Sequence, residues 1–378
     1  MKKLNIRLLR LIKNSRGQVI STVGIVALAI IVYVSMSMMS DNLYDSIYQY
    51  YDITNFGDVL IEVTKIPRAG VEKLHNIEGV KMVQGRISSD VPLRVEDPEE
   101  RVRVRIVSLP NEEDIINNIY TIDGSGPQGK GKSVAVLQQF AGGRDIKLGD
   151  RIVAYIGGRD YTLDVGGIVG SPEYIYLMEN EEALLPAPES FGVVYVTEDF
   201  AQSVLDYQGS YNELMIKIDG RYFERLDSII ETLEEELDKY GVKRSIKRED
   251  QLSHSLMMQE VDQLKTMSRA ITSIFLLVTM VIISIMLSRL VRNDRISIGV
   301  MKAIGYSNGE VLSHYIKFAL FIGLVGSIIG ILVSLPVSIG LTKLFIVFMN
   351  IPMLKTKVYY RYIVQAILLI SFFSCLSG

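Results

Sequence analysis

The stretch Arg292-Asn-Asp-Arg-Ile-Ser-Ile-Gly-Val-Met-Lys-Ala-Ile-Gly-Tyr-Ser-Asn-Gly-Glu-Val311 decides how this chain is read. It lies between two apolar runs without a charged residue, 270–288 and 318–342. Each has about the 20 residues that carry a helix across a bilayer core. A third such run, 19–39, stands near the N-terminus, and a fourth, 362–378, reaches the last residue. The first run is too long for the apolar part of a signal peptide and leads into Asp41-Asn-Leu-Tyr44, so it reads as an uncleaved span. The fourth, broken off in mid-helix, suggests the N-terminal portion of a longer polypeptide.

Charge sorts the segments between the runs. The first 18 residues hold Lys2, Lys3, Arg7, Arg10, Lys13 and Arg16 and no acid. The loop after the second span holds Arg289, Arg292, Arg295, Lys302 and Lys317 against Asp294 and Glu310. Every other acidic residue of the 43 falls between 40 and 269. The positive-inside rule puts the N-terminus and the central loop in the cytoplasm and the acidic segment outside. The loop 343–361 runs against the rule: it carries Lys343, Lys355, Lys357 and Arg361 and no acid, yet alternation places it outside.

The expected fold is an α-helical membrane protein of four spans, the last cut short, with a large α+β extracytoplasmic domain inserted between spans 1 and 2. The segments are a basic cytoplasmic stretch at 1–18, spans at 19–39, 270–290, 318–342 and 362–378, the outer domain with a helical stalk at 40–269, a cytoplasmic loop at 291–317 and an outer loop at 343–361. The location that follows is a membrane, with the N-terminus on the cytoplasmic side. In the outer domain, strands are expected at 58–66, 79–87, 91–95, 102–107, 133–136, 151–156, 161–168, 174–177, 191–196 and 214–218, with helices at 68–76 and 222–239. The alternation Arg101-Val-Arg-Val-Arg105 suits a strand with one solvated face, opposite Glu96, Asp97, Glu99 and Glu100.

Candidate chemistry is sparse. Gly126-Pro-Gln-Gly-Lys-Gly-Lys-Ser133 fits the phosphate-loop pattern, but Val-Ala-Val-Leu137 follows where that loop needs a helix N-terminus. The topology also puts it on the side without ATP. His75, His254 and His314 are scattered, Cys375 is the only cysteine, and no nucleophile–histidine pair or calcium-loop spacing occurs. Neither a bound cofactor, a metal, enzymatic activity nor a nucleic-acid partner is expected.

Two patterns concern packing. Leu43, Ile47 and Tyr50 after the first span, and Leu252, Leu256, Met257, Val261, Leu264 and Met267 before the second, recur at helical spacing. They predict helices that leave the membrane and pair as a stalk. In the third span, Gly326, Gly330, Ser334 and Ser338 place small residues on one helix face, which lets helices approach closely in lipid. Pro336 of that span should bend it.

The central loop, with Ile298-Gly-Val-Met-Lys-Ala-Ile-Gly305 at its heart, resembles that of the FtsX-like, or MacB-like, permeases of ABC transporters. Their loop runs roughly R-R-E-I-G-V-L-K-A-[IL]-G-A-S; this chain departs with Ile296, Ser297 and Tyr306. The resemblance extends to the layout of spans and, more loosely, to a MacB-like periplasmic core domain. It implies a coupling helix that docks on a separate cytoplasmic ABC-type ATPase, which would hold the ATP and Mg, and a second permease unit or second half of the same polypeptide. The residues it singles out are Arg292, Arg295, Ile298, Gly299, Met301, Lys302, Ala303, Ile304 and Gly305. On physical grounds, apolar Ile298, Met301 and Ile304 with Arg295 and Lys302 nearby suit a groove on a soluble partner. The basic N-terminal segment, with Leu4, Leu8, Leu9 and Ile12, suits the lipid surface. Such machines export, extract lipoproteins or transmit movement outward. A transmembrane receptor with an outer sensor domain is the alternative; it leaves the third and fourth spans without a role.

Overall fold

The computed structural model describes residues 15–97, 99–129, 132–179 and 185–377. Most of the basic N-terminal segment, and Lys130 and Gly131 of the phosphate-loop-like stretch, lie outside them. In chain order the elements are α1 (Arg16–Ile53), β1 (Val59–Pro67), α2 (Arg68–Leu74), β2 (Val80–Arg86), β3 (Ser88–Arg94), β4 (Arg103–Leu109), β5 (Tyr120–Gly124), β6 (Ser133–Leu137), α3 (Gln138–Gly143), β7 (Arg151–Ile156), β8 (Arg159–Gly170), β9 (Phe191–Thr197), α4 (Glu198–Val204), β10 (Ser210–Ile218), α5 (Leu226–Leu237), β11 (Val242–Lys247), α6 (Leu252–Asn293), α7 (Arg295–Ala303), α8 (Asn308–Phe348) and α9 (Tyr360–Ser377). They form two compact units, residues 46–259 with 346–353, and the remainder.

The helical unit holds most of α1, α6 and α8, the three helices among the described residues that are long and apolar enough to cross a membrane. The fourth expected span is the shorter apolar helix α9. Val26, Ile30 and Val34 of α1, Ile283 and Leu287 of α6, Phe318 and Ile322 of α8 and Ile370 of α9 meet in one core. Near the end of the apolar run of α1, Ser37 Oγ lies 3.1 Å from Ser268 Oγ of α6. Ser268 thus takes the inward position expected of Met267, which is 45% exposed. Two of the basic residues before and at the start of α9 are paired: Lys357 with Asp45 at 2.9 Å, and Arg361 with Asp41.

The α+β unit is built on two sheets. One is antiparallel, in the order β11-β1-β10-β2. In the other, of order β5-β8-β6-β9-β4-β3-β7, β7 also pairs with β8, which closes six strands into a barrel. Its central strand β9, Phe-Gly-Val-Val-Tyr-Val-Thr, is buried along its whole length, which explains the unbroken apolar run. Residues 346–353, the last three residues of α8 and the five that follow, belong to this unit, and several of them line a cleft with Tyr120, Thr121 and Ile122.

Several outer-domain expectations need correction. Residues 174–177 form no strand: Pro172–Tyr174 is a 3-10 turn capped by Ser171 Oγ, which accepts from Glu173 N–H. Gln139 Nε2 donates to the Tyr174 and Ile175 carbonyls, and Tyr176 N–H donates to Ser253 Oγ. Side chains therefore take the backbone groups that a ladder would use. The acidic helix is shorter than 222–239, because Asp219 starts a 3-10 turn at Gly220–Arg225 and Gly241, at φ +71°, ends the helical stretch after α5. Arg105 pairs across the strands with Asp90 (2.7 and 2.9 Å) rather than with the acids of 96–100, and Arg103 with Glu179. The strand expected at 133–136 is present as β6, so Ser133 opens a strand as the Val-Ala-Val-Leu run indicates.

Candidate functional site

The geometry of the central loop is set by three local devices. A turn at Asp294 separates α6 from α7, and the Asp294 carboxylate accepts from Tyr315 Oη of α8 at 3.2 Å. At the other end, Tyr306 N–H donates to the Met301 carbonyl and Gly305 N–H to that of Lys302, with Gly305 at φ +100°. This is the double closure of a helix that ends on a left-handed residue, and it explains the glycine. Ser307 and Glu310 then cap α8 reciprocally: Glu310 N–H donates to Ser307 Oγ (3.3 Å) and Ser307 N–H to Glu310 Oε2 (2.9 Å). The hydrogen bond from the Ser307 N–H holds the Glu310 carboxyl below its ordinary pKa. Stop and start signals sit two residues apart, so α7 is a short helix held between two long ones.

Within α7 the predicted residues divide. Met301 is 7% exposed and joins the core of the helical unit, with half-buried Ile298 packed against that core. The expected apolar face of Ile298, Met301 and Ile304 therefore does not face outward as one surface; α7 sits on its bundle through the first two. Outward lie Ile296 (85% exposed), Val300 (53%) and Ile304 (72%). Arg292, Arg295, Gly299, Lys302, Ala303 and Gly305 are exposed with them. Ile296 and Val300 join this outward row, although the loop's resemblance singles out neither of them. A Cβ on Gly299 would meet nothing within 4 Å among the described residues, so no packing there requires this glycine in mid-helix.

The small residues of α8 lie against α1. A Cβ on Gly326 would stand 2.6 Å from Val26 Cγ1, and one on Gly330 2.8 Å from the Ala27 carbonyl oxygen. Ser334 and Ser338 are buried further along, and Ser334 Oγ donates to the Ile331 carbonyl. Pro336 lies within α8.

The α+β unit contains a buried charge cluster. Arg86 at the end of β2 donates twice to Glu173 (2.6 and 2.8 Å) and once to Glu213 of β10 (2.7 Å). Burial acts to discharge Arg86, but the two carboxylates outweigh it and hold its pKa above the ordinary value. The Glu173 carbonyl accepts from Gln251 Nε2, one residue before α6. Beside it, His254 Nδ1 lies 3.1 Å from Tyr51 Oη. Burial, with the positive charge of Arg248 as second cause, holds His254 down at about 4, so its ring is neutral at physiological pH. Among the described residues no group of His, Cys, Asp and Glu is placed to hold a metal.

Fold and site define a class: a multi-span membrane protein with a large inserted α+β domain and a short helix exposed between two spans. Residues 269–378 match the FtsX-like permease C-terminal family. No curated protein matches it. Among solved structures it is similar to the extracellular domain of the noncanonic ABC-type transporter YknZ from Gram-positive bacteria, at 14% identity and TM-score 0.32, over 49% of this chain and 95% of that one. It is also similar to the periplasmic region of MacB from Actinobacillus actinomycetemcomitans, at 10% identity and TM-score 0.34, over 57% of this chain and 97% of that one.

Proposed function

We propose that the chain is the permease subunit of an ABC transporter and that α7 is where a separate cytoplasmic ATPase takes hold. The observation that carries this is the outward row Ile296, Val300 and Ile304 beside exposed Arg292, Arg295 and Lys302. Three large apolar side chains on a short helix and its C-cap, bordered by cations, suit a hydrophobic groove with an acidic rim. Exposed Gly299, which costs about 1 kcal/mol against alanine in a helix, leaves room for a partner's backbone to come close. ATP and Mg belong to the partner, and this chain performs no chemistry. The basic N-terminus and the α7 loop lie in the cytoplasm and the acidic α+β domain outside. A second permease unit, or a second half of the same polypeptide, completes the machine. Closure of the ATPase on its nucleotide moves α7, and α1 and α6 carry the movement outward as a stalk. The output is export, extraction or mechanical switching of an outer partner.

The test is co-purification from native membranes through a tag on this protein. The wild type is expected to retain an ATP-binding subunit, and Ile296→Asp to lose it by at least about tenfold, as for a central interface residue. Because Ile296 is 85% exposed, the variant should keep the wild-type melting behaviour. Equal retention by the variant would sink the docking surface, and absence of any ATPase from both would sink the transporter assignment.

A further inference from the structure

Within the helical unit, a cleft of ≈ 380 Å³ opens where three helices pass from apolar to polar sequence. It is lined by Tyr33, Ser37 and Asp41 of α1, Lys265, Ser268 and Arg269 of α6, and Arg361, Tyr362 and Gln365 of α9. Its level is fixed by the sequence. Arg269 directly precedes the charge-free run of α6, Arg361 directly precedes that of α9, and Asp41 follows that of α1 by two residues. Tyr33 and Tyr362 stack edge to face at 6.1 Å and Tyr359 packs on Tyr362, an arrangement typical of the bilayer–water boundary.

The charges of the cleft do not balance. Three cations face one carboxylate, and Asp41 is taken by Arg361. Lys265 lies over the Tyr44 ring and stands 3.9 Å from Asp262, whose carboxylate is 77% exposed. Arg269 is exposed. Hydrogen-bonding groups surround them: the Ser37–Ser268 hydroxyl pair, and Gln365, whose Oε1 accepts from Tyr33 Oη and whose amide nitrogen is left to donate. An excess of positive charge with fixed donors, at headgroup depth and beside apolar helix faces, suits a phosphate that arrives on an acyl-chain carrier.

We propose that this cleft binds the phosphodiester of an anionic membrane phospholipid, with Lys265 and Arg269 as its principal partners and the Arg361–Asp41 pair as a fixed wall. The site is separate from α7 and does not rest on the ATPase reading. It would tie the outer ends of α1, α6 and α9 to the lipid composition of the leaflet.

The test uses the whole protein in an uncharged detergent, titrated with short-chain phosphatidylglycerol, phosphatidylcholine or inorganic phosphate, with binding read by native mass spectrometry. Phosphatidylglycerol is expected to bind in preference to phosphatidylcholine. The double variant Lys265→Gln/Arg269→Gln should weaken it roughly thirtyfold, the effect of removing two basic groups at a membrane surface. Lys265→Arg/Arg269→Lys, which keeps both charges, should restore most of the binding. Undiminished binding by the glutamine variant, or equal binding of the zwitterionic lipid, would overturn the proposal. Displacement of the lipid by an equal concentration of inorganic phosphate would overturn its assignment to a lipid.

Discussion

Replacing Arg86 by methionine is expected to cost the α+β unit about 3–5 kcal/mol, the range for breaking a buried ion pair from one side. The substitution leaves Glu173 and Glu213 facing each other without a counter-charge, since the Arg86 and Glu173 side chains are 6% exposed and that of Glu213 11%. One carboxyl must then take up a proton, so the deficit should shrink as pH falls through the carboxylate range. Glu173→Gln with Glu213→Gln, added to Arg86→Met, should recover part of the loss, because neutral amides need no counter-charge. Urea denaturation of the whole protein in detergent, followed through its β-sheet signal, measures all of these. A deficit below about 1 kcal/mol, or one independent of pH, would mean that the cluster does not hold the domain together as described.

Gly330→Leu is expected to damage the helical unit as strongly. Even a methyl group at Gly330 would come 2.7 Å from Ile30 Cβ and 2.8 Å from the Ala27 carbonyl oxygen, and the latter is backbone that no rotamer change can move. Helices α1 and α8 must separate, which forfeits the close approach that drives association in lipid. The loss should reach about 3 kcal/mol, the upper end of overpacking in a tight core. Gly340→Ala is the control on the same helix: its Cβ would meet nothing within 4 Å, and removing a mid-helix glycine should be neutral or slightly stabilising. Thermal unfolding in detergent separates the two. Equal melting of Gly330→Leu and Gly340→Ala would remove the packing role from the small-residue face.

The spans are legible in the sequence because three long runs contain no charge at all, and few other structures use such a run. The barrel strands are legible where valine and isoleucine recur between glycine turns. Strand β11, Val-Lys-Arg-Ser-Ile-Lys, is not, since an edge strand with charged residues has the composition of a loop. The Arg86 cluster is out of reach for another reason: its members stand 87 and 127 residues apart, and only the pairing of β2 with β10 and the capped turn after β8 bring them together. In α7 the difficulty is an excess of signal. Residues 296, 298, 300, 301 and 304 are all apolar, so periodicity offers two faces and does not say which one the bundle takes. The choice falls to the reversal at Gly305–Ser307 and the Tyr315–Asp294 hydrogen bond, which turn Met301 inward and Ile296 out.

That division of α7 is the point on which the functional account stands, and crosslinking tests it directly. With Cys375 replaced by serine, single cysteines at Ile296 and Met301 are treated in native membranes with a short thiol-to-amine crosslinker. An adduct is expected between the 296 position and an ATP-binding subunit, and none from the 301 position. An adduct from 301 alone, or none from 296 when the subunit co-purifies with the wild type, would contradict it.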